Sequence, residues 1–277
     1  MKLKLAFSSC PNDTFIFDAM VHGRIDTGGL EFDYVLADVE QLNHMALRAE
    51  PDIVKLSYHA YAHVAKDYLI LDSGSALGYR NGPLLISKKR LSHDEINSAR
   101  IAIPGKYTTA NLLFSIAWPD AHNKTEYLFS DIERAILDDE VDAGLIIHET
   151  RFTYAKKGLI KLADTGENWE RLTGLPVPLG AIVVRRDLDP EVALAVNRIL
   201  YESIEYAYTD SLASYHFVSS NAKEMESEVM NSHIRLYVNE FTRHLGIDGK
   251  AAVRRFYEIA QEKGAIPPLP ERIFLLP

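Results

Sequence analysis

The chain has 277 residues, 47% hydrophobic and 25% charged, with a formal net charge of −9. That length carries two compact lobes or one large domain with a full core, and the composition excludes disorder as the default state. The acidic balance speaks against a nucleic-acid or anionic-membrane surface, since both need excess Lys and Arg, yet it leaves room for a small anionic ligand in a locally positive pocket. Cys10 is the sole cysteine, so no intrachain disulfide can form. No apolar run reaches membrane-spanning length, and the apolar Met1–Phe7 stretch is too short for a secretion signal, so a cytoplasmic protein without membrane insertion is expected.

Strands and helices alternate along the chain. Lys2–Phe7 reads as a strand, followed by a helix from about Asp13 to His22 that stops at Gly23. Leu30–Leu36 is a second strand after the Gly28-Gly29 turn, Asp38–Arg48 is helical, Asp52–Leu56 is a short buried strand, and Tyr58–Lys66 is again helical. Gly82–Ser87 is apolar and continuous, as a buried or lobe-crossing strand would be. A second block then repeats the plan. Arg100–Pro104 is a strand, Thr109–Trp118 a helix, Glu126–Phe129 a strand, and Ser130–Asp139 a helix with a capping box of Ser130 and Glu133. Its apolar residues Ile132, Ala135 and Ile136 share one helical face. Leu145–Ile147 is a short buried strand ending at His148, and Gly180–Arg185 is a strand after the rigid Pro176–Pro178 stretch. Pro190 to Gly264 is helical. Short apolar strands separated by helices imply mostly parallel sheets with crossovers.

Two α/β blocks joined by two extended crossings predict a two-lobed clamshell with a ligand cleft between the lobes. Residues 1–97 and 182–277 would form one lobe, with the helical C-terminal segment, and 98–181 the other.

In open α/β sheets, ligands bind outside the carboxyl ends of the strands. Four predicted strands end in small or hydrogen-bonding residues. The first runs into Ser8-Ser9-Cys10-Pro11-Asn12-Asp13-Thr14, which makes Asn12 a candidate ligand contact. The Asp52–Leu56 strand, which includes Lys55, runs into Ser57. Arg100–Pro104 runs into Gly105-Lys106-Tyr107-Thr108-Thr109-Ala110, and Leu145–Ile147 into His148. Three of these ends open into a helix, whose first N–H groups lack internal partners and favour an anion. Ser57, Thr109 and the amide of Ala110 are therefore candidates to hold a carboxylate. Each residue alone has a plainer explanation, because Ser, Thr, Asn and Asp before a helix ordinarily cap it. Their convergence on strand ends is what favours a ligand.

His148 stands just past an apolar strand. It is either a satisfied structural histidine or a general base, since imidazole removes a proton near neutral pH. His59 and His63 have metal-ligand spacing on a helix, but no third ligand is evident and no metal is assigned. Cys10 at a helix start could act as a nucleophile, yet no partner for it is evident. No Walker loop or glycine-rich dinucleotide fingerprint occurs.

Several segments together are familiar. Ser9-Cys10-Pro11-Asn12-Asp13-Thr14-Phe15, Asp38-Val39-Glu40-Gln41-Leu42-Asn43 and Lys55-Leu56-Ser57-Tyr58-His59-Ala60 come first. Gly82-Pro83-Leu84-Leu85, Ile146-Ile147-His148-Glu149 with Arg151-Phe152-Thr153-Tyr154, and Gly174-Leu175-Pro176-Val177-Pro178-Leu179-Gly180 follow. His233-Ile234-Arg235-Leu236-Tyr237-Val238-Asn239-Glu240-Phe241-Thr242 lies near the end. In this order, across nearly the whole chain, they resemble the 1,4-dihydroxy-6-naphthoate synthase family of the futalosine-dependent menaquinone pathway.

The resemblance implies a periplasmic-binding-protein-like fold of type II and a cofactor-independent carbon–carbon lyase. Such an enzyme cleaves cyclic dehypoxanthine futalosine, a small anionic substrate, to 1,4-dihydroxy-6-naphthoate and dihydroxyacetone. It further implies His148 as proton acceptor, with Lys55, Leu56 and Ser57, and Thr109 and Ala110, as substrate-binding segments. Position 80 is Arg where the family leads one to expect Gly. Two other readings stay open: the pathway's chorismate dehydratase, and a non-enzymatic solute-binding protein of the same shape.

Overall fold

The structure, a computed structural model, describes residues 1–209, 212–222 and 226–276. The chain begins with β1 (Lys2–Phe7), α1 (Pro11–Val21), β2 (Glu31–Leu36), α2 (Val39–Leu47), β3 (Ile53–Ser57), α3 (Tyr58–Val64), β4 (Tyr68–Ile70) and β5 (Ala76–Gly78). It continues through β6 (Leu84–Ser87), α4 (His93–Ser98), β7 (Ile101–Ile103), α5 (Thr109–Ala117), β8 (Lys124–Glu126), α6 (Ile132–Leu137), β9 (Ala143–Ile146), β10 (Ile160–Asp164) and α7 (Thr165–Thr173). It closes with β11 (Val177–Arg185), α8 (Pro190–Thr209), α9 (Tyr215–Asn221), α10 (Ser227–Tyr237), α11 (Glu240–Arg243) and α12 (Gly246–Glu262).

The chain divides into two compact units, Met1–Gly78 with Pro178–Pro277, and Tyr79–Val177. The first unit holds a sheet of order β2-β1-β3-β11-β4, with β5 paired to β11. β1 runs parallel to β2 and β3, whereas β11 runs antiparallel to β3 and β4. Leu3, Leu5 and Phe7 alternate along β1 and are buried with Phe15, Ile16 and Met20 of α1 and Val196, Ile199 and Leu200 of α8. Ser203 in α8 ties the two helices together, donating to the Ile16 carbonyl at 2.6 Å and accepting from the Met20 amide at 3.1 Å. The second unit holds a sheet of order β10-β6-β9-β7-β8. The two-residue period sorts its side chains onto two faces. Leu85, Ile101, Ile103 and Leu145 pack with Phe114 and Trp118, while Leu84, Ile86, Ala102 and Ile146 pack with Ile132 and Ile136.

Four sequence expectations need correction. The sheets are mixed rather than mostly parallel, because β6 and β11 run antiparallel to the strands beside them. The first boundary between units falls at Gly78/Tyr79 rather than near residue 97, because β6 pairs with β9 and β10 and so belongs wholly to the second sheet. The expected strand Glu126–Phe129 is instead Lys124–Glu126, with Phe129–Asp131 forming a 3-10 turn. That turn delays α6 to Ile132, so Ser130 does not cap it, and Glu133 pairs with Lys157 at 2.6 Å instead of closing a capping box.

Arg80 adopts φ 57°, the left-handed region that glycine enters without penalty. Its backbone is held there from two sides: its N–H donates to Glu170 at 2.6 Å, and Arg151 donates to its carbonyl at 3.2 Å and to that of Gly82 at 2.9 Å. The exposed Arg80 side chain contributes little to this clamp. Arg80→Gly should therefore be more stable than Arg80→Ala by roughly 0.5–1 kcal/mol in urea denaturation, because only glycine removes the backbone strain. Equal midpoints for the two variants would show that the position is not strained.

Candidate functional site

In the first unit, β1 and β3 are adjacent and parallel, so the loop after Phe7 and the residue Ser57 emerge at the same edge of the sheet. Lys55 and Ser57 are two apart on β3 and share a face, while the fully buried Leu56 points to the opposite one. Any ligand contact by Leu56 is thereby confined to its backbone. Lys55 is buried, as is Asp13 on α1, and the two form an ion pair. The Asp13 carboxylate also accepts from Ser8 Oγ at 2.7 Å and from Asn12 Nδ2 at 2.7 Å. Burying an ammonium and a carboxylate is tolerable only with such pairing and added hydrogen bonds. Asn12 thus lies in the same polar cluster as Lys55, with its carbonyl against His233 at 2.8 Å.

Ser57 precedes α3, yet its side chain does not cap that helix. Asn43, fully buried on α2, accepts from the Ser57 amide at 2.9 Å and donates through Nδ2 to Ser57 Oγ at 3.3 Å. Because that hydroxyl oxygen is accepting, its own hydrogen is available to donate to an anion. The plain capping explanation fails for Ser57.

Gly180 of β11 lies opposite Ser57 in the sheet. A Cβ there would come within 3.0 Å of both Lys55 Cε and the Leu56 carbonyl oxygen. Glycine at this position makes room for the lysine stem.

In the second unit, β7 and β9 are also adjacent and parallel. Their carboxyl ends lead to Thr109 and Ala110 in one case and to His148 in the other, at the same sheet edge. Thr108, not Thr109, is the N-cap of α5: its Oγ1 accepts from the Asn111 amide at 3.3 Å and donates to the Gly105 carbonyl at 2.8 Å. Thr109 and Ala110 open α5 ahead of the Asn111 amide that Thr108 caps. The loop between β7 and α5 is fixed by Asn111 Nδ2 donating to the Lys106 carbonyl at 2.8 Å and by the Lys106 amide donating to Glu126 at 2.9 Å. Lys124 braces Asn111 and Ser115 at 3.1 and 2.8 Å, and burial holds its ammonium below the usual lysine range.

His148 opens a 3-10 turn, His148–Phe152, with φ 58°. Left-handed backbone at a residue other than glycine is uncommon, and such positions cluster at functional sites. The half-buried ring stands edge-on to Phe129 at 5.1 Å. Neither the left-handed turn nor the aromatic neighbour could be read from composition or periodicity.

Among the residues singled out from sequence, Asn12, Lys55 and Ser57 come together at one strand edge, and Thr109, Ala110 and His148 at another. Asp13, Asn43 and His233 were not among them, although all three fall within quoted segments. His59 and His63 lie 5.4 Å apart ring to ring. Among the described residues no group of three or more His, Cys, Asp or Glu could hold a metal ion, and no helix is long and apolar enough to cross a membrane.

A family profile described as menaquinone biosynthesis matches residues 3–262. The chain belongs to that family. It is 42% identical over 273 residues to a 1,4-dihydroxy-6-naphthoate synthase of Streptomyces coelicolor, covering 96% of this chain and 95% of that one. To a Thermus thermophilus protein of the same name it is 41% identical, covering 99% of both. Among solved structures, a protein from Archaeoglobus fulgidus superposes with a TM-score of 0.88 at 38% identity, over 96% of this chain and 98% of that one. The periplasmic aliphatic sulphonate binding protein of Escherichia coli matches with a TM-score of 0.67 at 12% identity, over 99% of this chain and 92% of that one, a likeness of fold alone. The fold is thus the α/β periplasmic-binding-protein type, with two sheets.

Gly180→Ala provides a check on the first unit's geometry. The added methyl meets a backbone carbonyl that cannot yield, so the variant should lose about 1–3 kcal/mol in urea denaturation. Stability at or above that of the unsubstituted protein would mean that β11 is not pressed against Lys55 as described.

Proposed function

We propose that the protein is a carbon–carbon lyase of menaquinone biosynthesis that converts cyclic dehypoxanthine futalosine to 1,4-dihydroxy-6-naphthoate and dihydroxyacetone, in the cytoplasm and without a cofactor. The observation that carries this reading is His148, held in a left-handed turn where β9 ends beside the strand that leads to Thr109 and Ala110. Full-length relatives at 41–42% identity bearing the synthase name support it. In the proposed reaction His148 accepts a proton from the substrate. Its removal lets the sugar-derived carbons leave and the second ring become aromatic, which supplies the thermodynamic drive. The hydroxyls of Ser57 and Thr109 and the Ala110 amide take anionic oxygens of the substrate, with Lys55 and Asn12 beside Ser57 and the Leu56 backbone completing that strand end. Fixing those oxygens orients the carbon acid toward the base.

One assay separates the alternatives. Incubation with cyclic dehypoxanthine futalosine should release the naphthoate chromophore, and chorismate should be left unchanged. Turnover of chorismate instead would make the protein a dehydratase, and binding without turnover of either compound would make it a solute-binding protein.

His148→Asn keeps a side chain that tolerates the left-handed backbone but removes the base. The variant should fold and bind, with kcat lower by about 10²-fold or more. Normal turnover in the Asn variant would make His148 structural.

Ser57→Ala and Thr109→Ala should each raise KM while leaving the fold intact. A lost hydrogen bond to a charged group is worth about 1.5–3 kcal/mol, or roughly 10- to 150-fold in binding. Unchanged KM in both variants would remove the anion-site assignment.

A further inference from the structure

We propose that Asp13, paired directly with Lys55, and His233, acting through Asn12, are positioning residues that hold the Lys55 ammonium in place at the end of β3. This rests on the reading of Lys55 as a substrate contact. Asp13 is 1% exposed, and its oxygens face four donors. Oδ2 accepts from Ser8 Oγ at 2.7 Å and from the Ser8 amide at 3.4 Å, while Oδ1 accepts from Asn12 Nδ2 at 2.7 Å and from Lys55 Nζ. A carboxylate so occupied is no substrate contact. It is the fixed post to which the lysine is tied.

A carboxylate paired with an ammonium only accepts, so Asn12 must turn its NH2 toward Asp13. The Asn12 carbonyl then faces His233 Nε2 at 2.8 Å. A carbonyl also only accepts, so His233 carries its proton on Nε2 and donates it. His233 lies 221 residues further along the chain, on α10, with no exposed surface and its ring 4.7 Å from that of Tyr237. Each link sets the next. The histidine donor fixes which way the Asn12 amide faces. The amide shares Oδ1 with Lys55, and Lys55 is thereby held in one rotamer instead of sweeping through the many open to a four-carbon stem. Were the amide reversed, its oxygen would face the carboxylate and weaken the hold on Lys55.

Two variants and one spectrum test this. His233→Phe keeps an aromatic ring but no donor, whereas His233→Gln keeps a side-chain N–H. The Phe variant should raise KM for cyclic dehypoxanthine futalosine at least about tenfold with kcat little changed, and the Gln variant should recover most of the loss. A folded Phe variant with unaltered KM, or one whose kcat alone falls, would overturn the proposal. Long-range ¹H–¹⁵N NMR of the unsubstituted protein should place the His233 proton on Nε2. A proton on Nδ1 only would overturn the proposal without reference to any substrate. Should the Phe variant fail to fold, or the unsubstituted protein fail to turn over this substrate, the spectrum still decides the His233–Asn12 link. The second failure alone counts against the lyase reading.

Discussion

The buried ion pair of Lys55 and Asp13 is the constraint around which the first unit is arranged. Neither charge could leave water without its partner, and removing one would strand the other at a cost of about 3–5 kcal/mol. Meeting that demand dictates much nearby. β1 and β3 must be neighbours, so that a lysine from one reaches the helix that follows the other. Ser8 and Asn12 must donate to the remaining carboxylate positions. Gly180 must lack a side chain where the lysine stem passes. The result is a cationic group set two residues from Ser57, in a protein whose overall charge is negative. Local structure, not net charge, makes an anion site possible there.

Much of the frame is legible in the sequence, and the limits have physical causes. β1 runs from Lys2 to Phe7, as its alternation and polar end indicate, and Asp38 caps α2 where the pattern begins. The misplaced unit boundary has a clear source. Leu84–Ser87 is buried along its whole length, and a strand covered on both faces carries no periodicity to say which sheet it joins. Ser130 shows how local signals lose to tertiary demands: the Ser-x-x-Glu spacing is present, but a 3-10 turn intervenes and Glu133 pairs with Lys157. In the candidate site, strand ends and residue types point to Ser57, Thr109 and His148. The pairing of Asn12 with His233 joins residues 221 positions apart, and no local pattern encodes such a contact. The left-handed backbone of His148 is equally silent in the sequence, since histidine enters that region at a few positions only and no local pattern marks them.

The fold itself says little about chemistry. A sulphonate-binding protein at 12% identity has the same fold, and fold likeness at that level carries no function. What separates this chain from a passive binder is the kind of residue at its strand ends. Anion binding needs only donors, which Ser57 and the first amides of α5 provide. Proton removal needs a base, the role proposed for His148. The proposed function thus assigns binding and reaction to different strand ends of one family fold.

Whether these strand ends take a carboxylate is decided by calorimetric titration with 1,4-dihydroxy-6-naphthoate and with its methyl ester. The ester keeps the rings and hydroxyls but loses the charge. The free acid should bind at least about tenfold more tightly, the worth of a charge-assisted hydrogen bond. Equal affinities for acid and ester would contradict it.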